Sequence, residues 1–460
     1  MTRLPRALLI LLALAALLRW WPLEEWSSRP CVRDECTYRA LATNLLRGEG
    51  MVGTRGWLWA PGYPAAIAVA AKLFGQINDV KLLQLAAALG TIALLWRFTR
   101  DHFGERAASI AALLLVVNPT HIFYASSLWS EGFYTLLLFG MVYAIGYARG
   151  EPPGQDPDPS RPLPSPLRAL LPGVLLGGCV LFRGVATYLL PCLAVALLWG
   201  RWRNRKAWRA AGLGVLASAL VVAPYSAQAT AKFGGIVISD RTLGQMMWLG
   251  NNDFAPLTFD FGNGPLDDLE YDRITASGRD HCPFEADPVK QDACEVEAGL
   301  DWIRAHPGAF VTRIPLRVSQ LVNPHSLLTR NLRTGRWKGL PQWVDEVLVV
   351  GVALGSFVVL LGGTIGLFAR GRGWYAGTAA LIVGYHVAAI ACLAGLSRYR
   401  VPLEPLWMVF AAGLFADPRA AWAALGASRA RLVGAAVVTG VLLALMLRFL
   451  PTGWPLWSTW

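Results

Sequence analysis

Long apolar runs separated by short polar segments are the dominant pattern of this 460-residue sequence. A helix needs about 20 predominantly apolar residues to cross the hydrocarbon core of a bilayer. The pattern therefore predicts an all-α integral membrane protein, a polytopic bundle of about eleven transmembrane helices, with roughly ten to thirteen as the range. The predicted spans are residues 4–21, 80–98, 107–125, 132–148, 168–183, 185–200, 207–227, 346–369, 374–394, 403–416 and 431–450.

Two apolar runs need separate treatment. Arg3 and Arg6 before the run Leu8–Leu18 would also suit a signal peptide, but no small-x-small cleavage site follows. We therefore expect the first run to be a retained helix. The run Pro61–Gly75 has only fifteen residues and contains Lys72, so we expect an interfacial or re-entrant helix there rather than a span.

Basic residues between the runs set the predicted orientation, because inner loops of membrane proteins carry an excess of Lys and Arg. With the N-terminus inside, the strongest basic cluster, 201–206, lies on the inner side. We expect a multi-pass membrane protein with its two long loops on the extracytoplasmic side. The predicted parts are an N-terminal transmembrane module (1–227) with a first outer loop (22–79) and a Pro-rich cytoplasmic linker (150–167), a second outer loop (228–345), and C-terminal transmembrane helices (346–460).

Composition supports this interpretation and excludes other classes of protein. Hydrophobic residues make up 55% of the chain and charged residues 16%, whereas soluble domains carry about 25% charged residues. The net charge of +12 comes from short clusters between apolar runs, so there is no basic soluble domain to bind nucleic acid. Neither a P-loop nor a Gly-x-Gly-x-x-Gly dinucleotide motif followed by a suitable acid occurs.

Four of the seven cysteines fall in the predicted outer loops, Cys31 and Cys36 in the first and Cys282 and Cys294 in the second. Their position on the oxidising side is compatible with two disulfides, although spacing alone leaves unpaired thiols open. No His-x-x-His or paired Cys-x-x-Cys motif occurs, so no zinc site is predicted. No cofactor is assigned, and a divalent cation stays open.

The first outer loop contains the strongest candidate for chemistry. Asp34 and Glu35 precede a short amphipathic helix that begins at Tyr38 and repeats apolar residues at helical spacing. Ionised carboxylates are favoured near the N-terminus of a helix. The pair is therefore either a plain helix cap or a catalytic base with a neighbouring acid.

Three arginines lie at predicted outer membrane boundaries. Arg183 falls between the fifth and sixth spans, and Arg398 and Arg400 precede the tenth. A buried guanidinium is costly unless it is paired or reaches water, and arginine suits phosphate as a bidentate ligand. We interpret the three as a clamp for a lipid phosphate, with snorkelling to the interface or an accident of orientation as the alternatives.

Four further residues are weaker candidates for substrate binding: Tyr38 of the first outer loop, Glu131, Tyr399 and Tyr63. Glu131 follows the third span and is either a second cavity acid, assisting the acceptor or a divalent ion, or a solvated loop acid. Tyr399 lies between the two arginines of its segment and either contacts substrate or is a boundary aromatic. Tyr63, in a Pro-Gly-Tyr-Pro segment, shapes a turn in which the prolines set φ.

Together these segments resemble the dolichyl-phosphate-mannose–protein mannosyltransferases and their bacterial relatives, including the lipid A aminoarabinose transferases. These are membrane glycosyltransferases of the GT-C class. The matching pattern is an acidic pair after the first helix, then Tyr38 and an Ala-x-Asn-Leu-Leu-x-Gly-x-Gly run, then Pro-Gly-Tyr-Pro with Tyr63. Further matches, in order along the chain, are Phe74-Gly75, Asn118-Pro119, Ser130-Glu131, Phe182-Arg183-Gly184 and 398–405 (RYRVPLEP).

The resemblance implies transfer of a sugar from a polyprenyl- or dolichyl-phosphate to a lipid, glycan or protein acceptor at the outer face. It therefore implies a multi-pass protein of the bacterial inner membrane with its active site on the extracytoplasmic side. It places the catalytic base at Asp34, with Glu35 in the neighbouring acidic position. Hydrolytic glycosidases need a second carboxylate to protonate the leaving group, whereas a phosphate with a second pKa of about 6 departs without one. One base and cations for the phosphate suffice, and a single displacement inverts the anomeric carbon.

A transporter or flippase of lipid-linked glycans is the alternative, because it too needs many spans and cationic patches. Transporters usually carry ionisable residues deep inside their spans, and most of the predicted spans have none at mid-depth. We therefore favour the glycosyltransferase. The expected partners are the polyprenyl-phosphate sugar donor, the acceptor and membrane lipids, with no nucleic acid.

Overall fold

The computed structural model describes residues 5–27, 31, 34–51, 58–151, 163–253, 282–283, 287–333 and 341–449. Throughout these residues the regular structure is helical and no β-strand occurs. One isolated antiparallel bridge joins Leu58 to Arg241. The predicted all-α fold class is therefore confirmed.

The α-helices of the described residues, in chain order, are α1 (Arg6–Ser27), α2 (Asp34–Leu46), α3 (Gly62–Phe74), α4 (Val80–Phe103), α5 (Glu105–Val116), α6 (Pro119–Ser126), α7 (Glu131–Arg149), α8 (Leu170–Phe182), α9 (Leu190–Leu198), α10 (Arg205–Phe233), α11 (Leu243–Gly250), α12 (Pro288–Ala305), α13 (Pro307–Val322), α14 (Leu327–Arg333), α15 (Gln342–Arg370), α16 (Gly373–Cys392), α17 (Glu404–Ala416), α18 (Pro418–Gly426) and α19 (Arg429–Leu447). Four 3-10 segments lead directly into α4, α8, α9 and α17, namely Ile77–Asp79, Pro166–Ala169, Gly184–Leu189 and Ser397–Leu403.

Every predicted span coincides with an α-helix or with two successive helices. Six helices among the described residues are long and apolar enough to cross a membrane: α4 with its preceding 3-10 turn, α7, α10, α15, α16 and α19. The bent pair α5 and α6, with an angle of 57°, adds a seventh if it is counted as one span. The protein is thus an integral membrane protein, while the count of about eleven spans stays a prediction.

The short apolar run after the first outer loop forms α3, whose 13 residues are too few for a span. Gly62 at its start packs against the end of α8, where a Cβ atom would lie 2.8 Å from the carbonyl oxygen of Leu181. The glycine of the Pro-Gly-Tyr-Pro segment is therefore needed for close contact between two helices. It brings α3 beside the point where α8 ends.

The first outer helix, α2, begins at Asp34, one turn earlier than the sequence pattern indicated. Asp34 and Glu35 both lie in its first turn, where the unpaired backbone N–H groups favour negative charge. Tyr38, Leu41 and Ala42 are buried, which is the spacing of a helix with one face turned to the core. The helix thus buries its apolar stripe together with Glu35 and leaves Asp34 partly exposed.

Both pairs of outer-loop cysteines form disulfides, Cys31–Cys36 at the start of α2 and Cys282–Cys294 at α12. Of the two alternatives that the sequence left open, pairing is the one observed. The first bridge spans five positions and ties the chain in front of α2 to the first turn of that helix. It therefore helps to fix the place of Asp34.

The helices pack around a continuous apolar core. α15 packs along α17, α8 along α10, and α4 along both α5 and α7. α1 is attached through the buried Arg19, which donates to the carbonyl oxygens of Leu115 and Val116 at 3.0 and 3.1 Å. These carbonyls lie at the C-terminal end of α5, where a helix leaves them without intrahelical partners. The first predicted span is therefore an integral part of the bundle.

Three predicted loops and linkers lie partly outside the described residues. The first outer loop, 22–79, is described except at 28–30, 32–33 and 52–57. The Pro-rich linker 150–167 is described only at its two ends. The second outer loop is described up to 253, at 282–283, from 287 to 333 and from 341 to its end. The predicted division of the chain into 1–227, 228–345 and 346–460 stays a prediction.

Candidate active site

A cavity of about 1010 Å³, its open mouth included, lies where the predicted outer loops meet the helix bundle. Its charged lining residues are Arg183, Asp240 and Arg398. The other lining residues are Tyr38, Trp59, Ala60, Tyr134, Phe182, Gly184, Val185, Thr242, Gln245, Met246, His386, Ala389, Ile390, Leu393, Ala394, Tyr399 and Pro402. Three charges are thus set in a wall that is mostly apolar and aromatic.

Arg398 forms an ion pair with Asp34, although the two residues are far apart in sequence. Its Nη1 donates to Oδ2 of Asp34 at 2.7 Å, and the side chains are 18% and 22% exposed. The guanidinium carbon lies 4.9 Å from the centre of the Trp129 ring. Within the described residues this is the one hydrogen bond that Arg398 makes, so most of its five N–H groups are not used by the protein.

A second ion pair joins Arg183 to Glu131, with Nη1 at 2.7 Å from Oε1. α8 ends at Phe182, and the backbone of Arg183 is extended (φ −152°, ψ 116°), so the side chain leaves the helix end and reaches the cavity wall. Glu131 is the first residue of α7 and is completely buried. Its Oε2 has no hydrogen-bond partner among the described residues. Two residues that the sequence singled out separately thus form one pair.

Tyr399 lies between the two arginines. The guanidinium carbons of Arg183 and Arg398 are 5.3 and 5.5 Å from the centre of its ring, which is within the range of cation–π attraction. Tyr38 lies at the same wall and interacts electrostatically with all four charged residues of the two pairs. Burial raises the pKa of Tyr38 above its ordinary value, so its hydroxyl stays neutral. We refer to Asp34–Arg398 and Glu131–Arg183 as the acid–arginine pairs.

Arg400 is not among the lining residues, although a single residue separates it from Arg398. It is 1% exposed. Its partners are the side chains of Glu404 and Ser356, both at 2.8 Å, and the carbonyl oxygens of Leu321 and Asn323. A 3-10 helix turns by about 120° per residue, so side chains two positions apart point to different sides. The structure therefore separates Arg400 from the other two arginines of the predicted clamp.

Two other predicted site residues hold the scaffold beside the cavity. Glu35 is buried, and its Oε1 accepts a hydrogen bond from the backbone N–H of Leu128 at 3.3 Å. Tyr63 is completely buried, and its hydroxyl donates to Oε1 of Gln84 at 2.7 Å. Glu35 thus ties α2 to the segment between α6 and α7, and Tyr63 ties α3 to α4. Neither residue lines the cavity.

Asp240 lines the cavity, and no sequence motif indicates it. Its Oδ2 accepts hydrogen bonds from the backbone N–H of Gly184 at 3.2 Å and from the hydroxyl of Thr242 at 3.4 Å. The one signal in the sequence is the glycine after Arg183, because a Cβ atom at that position would overlap the Asp240 carboxylate. A single acid in a long polar loop otherwise looks like a solvated residue.

The carboxylates of the acid–arginine pairs are held by arginines rather than grouped with one another. Among the residues that the structure describes, no group of three or more His, Cys, Asp or Glu side chains is close enough together to hold a metal ion. None of the candidate site residues is therefore assigned as a metal ligand.

Comparison with known proteins relates this architecture to solved structures. No protein-family model and no curated protein matches the sequence. The apo oligosaccharyltransferase of Archaeoglobus fulgidus superposes with a TM-score of 0.51 at 14% identity, over 97% of this chain and 56% of that one. The chain has the GT-C fold. The resemblance predicted from the order of the motifs is thereby confirmed at the level of the fold.

Two further structures with the GT-C fold are similar to this chain. The oligosaccharyltransferase AglB of Archaeoglobus fulgidus, in complex with an inhibitory peptide and a dolichol-phosphate, gives a TM-score of 0.50 at 15% identity, over 95% of this chain and 54% of that one. ArnT of Cupriavidus metallidurans, bound to undecaprenyl phosphate, gives 0.43 at 16% identity, over 89% and 78%. This chain spans little more than half the length of the archaeal proteins. At identities this low, the comparison shows a shared fold and not a shared activity.

Proposed function

We propose that the protein is a glycosyltransferase that moves a sugar from a polyprenyl-phosphate donor to a lipid, glycan or protein acceptor. The observation that carries the proposal is that Arg183 and Arg398, the arginines of the acid–arginine pairs, line one cavity wall and keep N–H groups that no described residue uses. Their partners Asp34 and Glu131 are not among the lining residues. Such a wall suits a phosphate, and the apolar lining suits the lipid attached to it. The proposed setting is the bacterial inner membrane, with the cavity on the extracytoplasmic side.

Asp34 is the proposed catalytic base. Its carboxylate takes the proton of the acceptor hydroxyl while the hydroxyl oxygen attacks the anomeric carbon of the donor. The bond between that carbon and the phosphate oxygen breaks, and the phosphate leaves with the electron pair. Because this is one displacement, the anomeric configuration inverts. Arg398 contacts Asp34 and lines the cavity, so one residue couples the base to the leaving phosphate.

The arginines act on the leaving group. The donor phosphate is a diester with a single negative charge, whereas the released monoester carries about −1.5 to −2 at pH 7. Negative charge therefore grows on the phosphate as the bond breaks. Cations already in place stabilise this charge more strongly than they stabilise the bound donor, which raises the rate rather than only tightening binding.

The remaining predicted residues have positioning roles in this proposal. Glu131 holds Arg183, and Tyr399 lies between the two guanidinium groups. Tyr38 presents a neutral hydroxyl at the wall. Glu35 positions α2 and does not contact the substrate. Support for a lipid phosphate as the ligand comes from AglB, which has the same fold and was solved with a dolichol-phosphate.

The test of the proposed site is direct binding of undecaprenyl phosphate to the purified full chain in nanodiscs. We expect Arg398→Ala and Arg183→Ala each to weaken binding about 10- to 100-fold, because each removes charge-assisted hydrogen-bond donors. Arg304→Ala is the matched control, since Arg304 is 70% exposed and pairs with Asp301. Wild-type affinity in both cavity variants would show that the phosphate does not bind at this wall.

A further inference from the structure

The cavity has a second polar part, formed by Asp240 and Thr242 in the segment between α10 and α11 and by Gln245 on α11. Both hydrogen bonds to the Asp240 carboxylate are accepted by Oδ2, from the N–H of Gly184 and the hydroxyl of Thr242. Its Oδ1 makes no hydrogen bond to any residue that the structure describes. The carboxylate is thus held by one oxygen, and the other is available to a ligand in the cavity.

This carboxylate lies directly beside the arginine wall. The residue that donates its backbone N–H, Gly184, follows Arg183 in the chain. A Cβ atom at Gly184 would overlap the carboxylate, so only glycine permits the approach. A ligand whose phosphate contacts Arg183 therefore places the group bonded to that phosphate next to Asp240.

We propose, on the basis of the glycosyltransferase function above, that Asp240 binds hydroxyl groups of the donor sugar and that the cavity selects a sugar without a carboxylate. An ionised carboxylate accepts hydrogen bonds and cannot donate them, and the hydroxyl groups of a neutral sugar are donors of the required kind. A uronic acid would bring a second negative charge against Asp240, and like charges in an interface are costly.

The charges around Asp240 give this role a pH dependence. Burial raises the pKa of Asp240 to about 6, Asp292 on α12 adds to the rise, and the Gly184 N–H and Arg183 oppose it. Tyr225 on α10 is the other titratable neighbour. The carboxylate is therefore protonated below about pH 6 and ionised above it. Affinity for the sugar should rise, and the donor KM should fall, as the pH increases through that value.

The experiment compares two polyprenyl-phosphate donors, one with a neutral hexose and one with the matching uronic acid, using the full chain in nanodiscs. For Asp240→Asn we expect the KM of the neutral donor to rise about tenfold and to lose its change between about pH 5 and 7. The uronic acid donor should become a better substrate. Asp301→Asn, at an exposed acid of the same outer loop, should behave as wild type.

Binding of bare undecaprenyl phosphate separates this inference from the function on which it rests. Asp240→Asn should bind the bare lipid with an affinity within about twofold of wild type, because the arginines are intact. If the neutral donor has the same KM with wild type and with Asp240→Asn, Asp240 does not bind the donor sugar, and the proposed glycosyltransferase function is unaffected. Weakened binding of the bare lipid would make Asp240 a support for the arginines and overturn the role as well. A wild-type chain that consumes neither donor would refute both proposals.

Discussion

We expect Asp34→Asn to reduce sugar transfer by about 10²- to 10⁴-fold, because it removes the proposed general base and keeps the size of the side chain. The reduction in sugar transfer should appear in kcat. The KM for the donor should not rise, since Arg398 loses its partner carboxylate and stays available to the phosphate. The measurement is steady-state turnover of a polyprenyl-phosphate sugar by the purified chain, with kcat and KM determined separately.

The neighbouring acid provides the comparison for this prediction. Neither acid is a lining residue, but Asp34 pairs with the lining residue Arg398, whereas Glu35 accepts from the backbone N–H of Leu128. Glu35→Gln should therefore cost far less kcat than Asp34→Asn, with its effect appearing in the thermal stability. Comparable losses of kcat in the two variants, or a fully active Asp34→Asn, would be incompatible with Asp34 as the base.

The second large effect is on stability. Arg400→Ala should lower the free energy of unfolding by about 3–5 kcal/mol, because it leaves the carboxylate of Glu404 buried without its arginine. Both side chains are 1% exposed, and the other Glu404 oxygen is held by His121 at 3.0 Å and Asn118 at 3.2 Å. These bonds tie α17 to α6, so the loss should be felt through the bundle. Unfolding by denaturant in detergent micelles measures it.

Arg398→Ala is the control for Arg400→Ala, because the two arginines differ in burial and not in type. Arg398 is 18% exposed and makes one hydrogen bond to the residues that the structure describes, so its removal should leave stability near that of wild type and act on phosphate binding. A double variant, Arg400→Ala with Glu404→Ala, should lose less stability than the sum of the two single variants. An Arg400→Ala protein with wild-type stability and weakened lipid-phosphate binding would show that Arg400 binds the phosphate, as the sequence predicted.

The helical architecture could be predicted from the sequence because the periodicity and the length of each apolar run are local properties of the chain. Each predicted span has a helix at its place, α2 exists with Tyr38 on its buried face, and α3 is too short to span. The order of short motifs was sufficient to indicate the GT-C fold. It also selected Asp34, Arg183, Glu131 and Arg398, all of which belong to the acid–arginine pairs.

What the sequence could not predict are contacts that depend on packing between distant segments. Arg398 and Arg400 look equivalent in the chain, and only the 3-10 turn that carries them sends one to the cavity and the other into the core. The partners of Arg183 and Arg398 come from distant helices, so these two pairs could not be assigned. Asp240 reaches the cavity because Gly184 leaves room for it, and the glycine alone does not indicate which residue packs against it.

The central claim is that this cavity breaks the bond between a sugar and a polyprenyl phosphate, with Asp34 as the base. Mass spectrometry of donor lipids incubated with the purified chain in nanodiscs tests it most directly, because no transmembrane gradient is present. The account predicts conversion of a polyprenyl-phosphate sugar to free polyprenyl phosphate by the wild type, and almost none by Asp34→Asn. Intact donor across a panel of sugars and acceptors, together with movement of the uncleaved lipid in vesicles, would contradict it and favour a flippase.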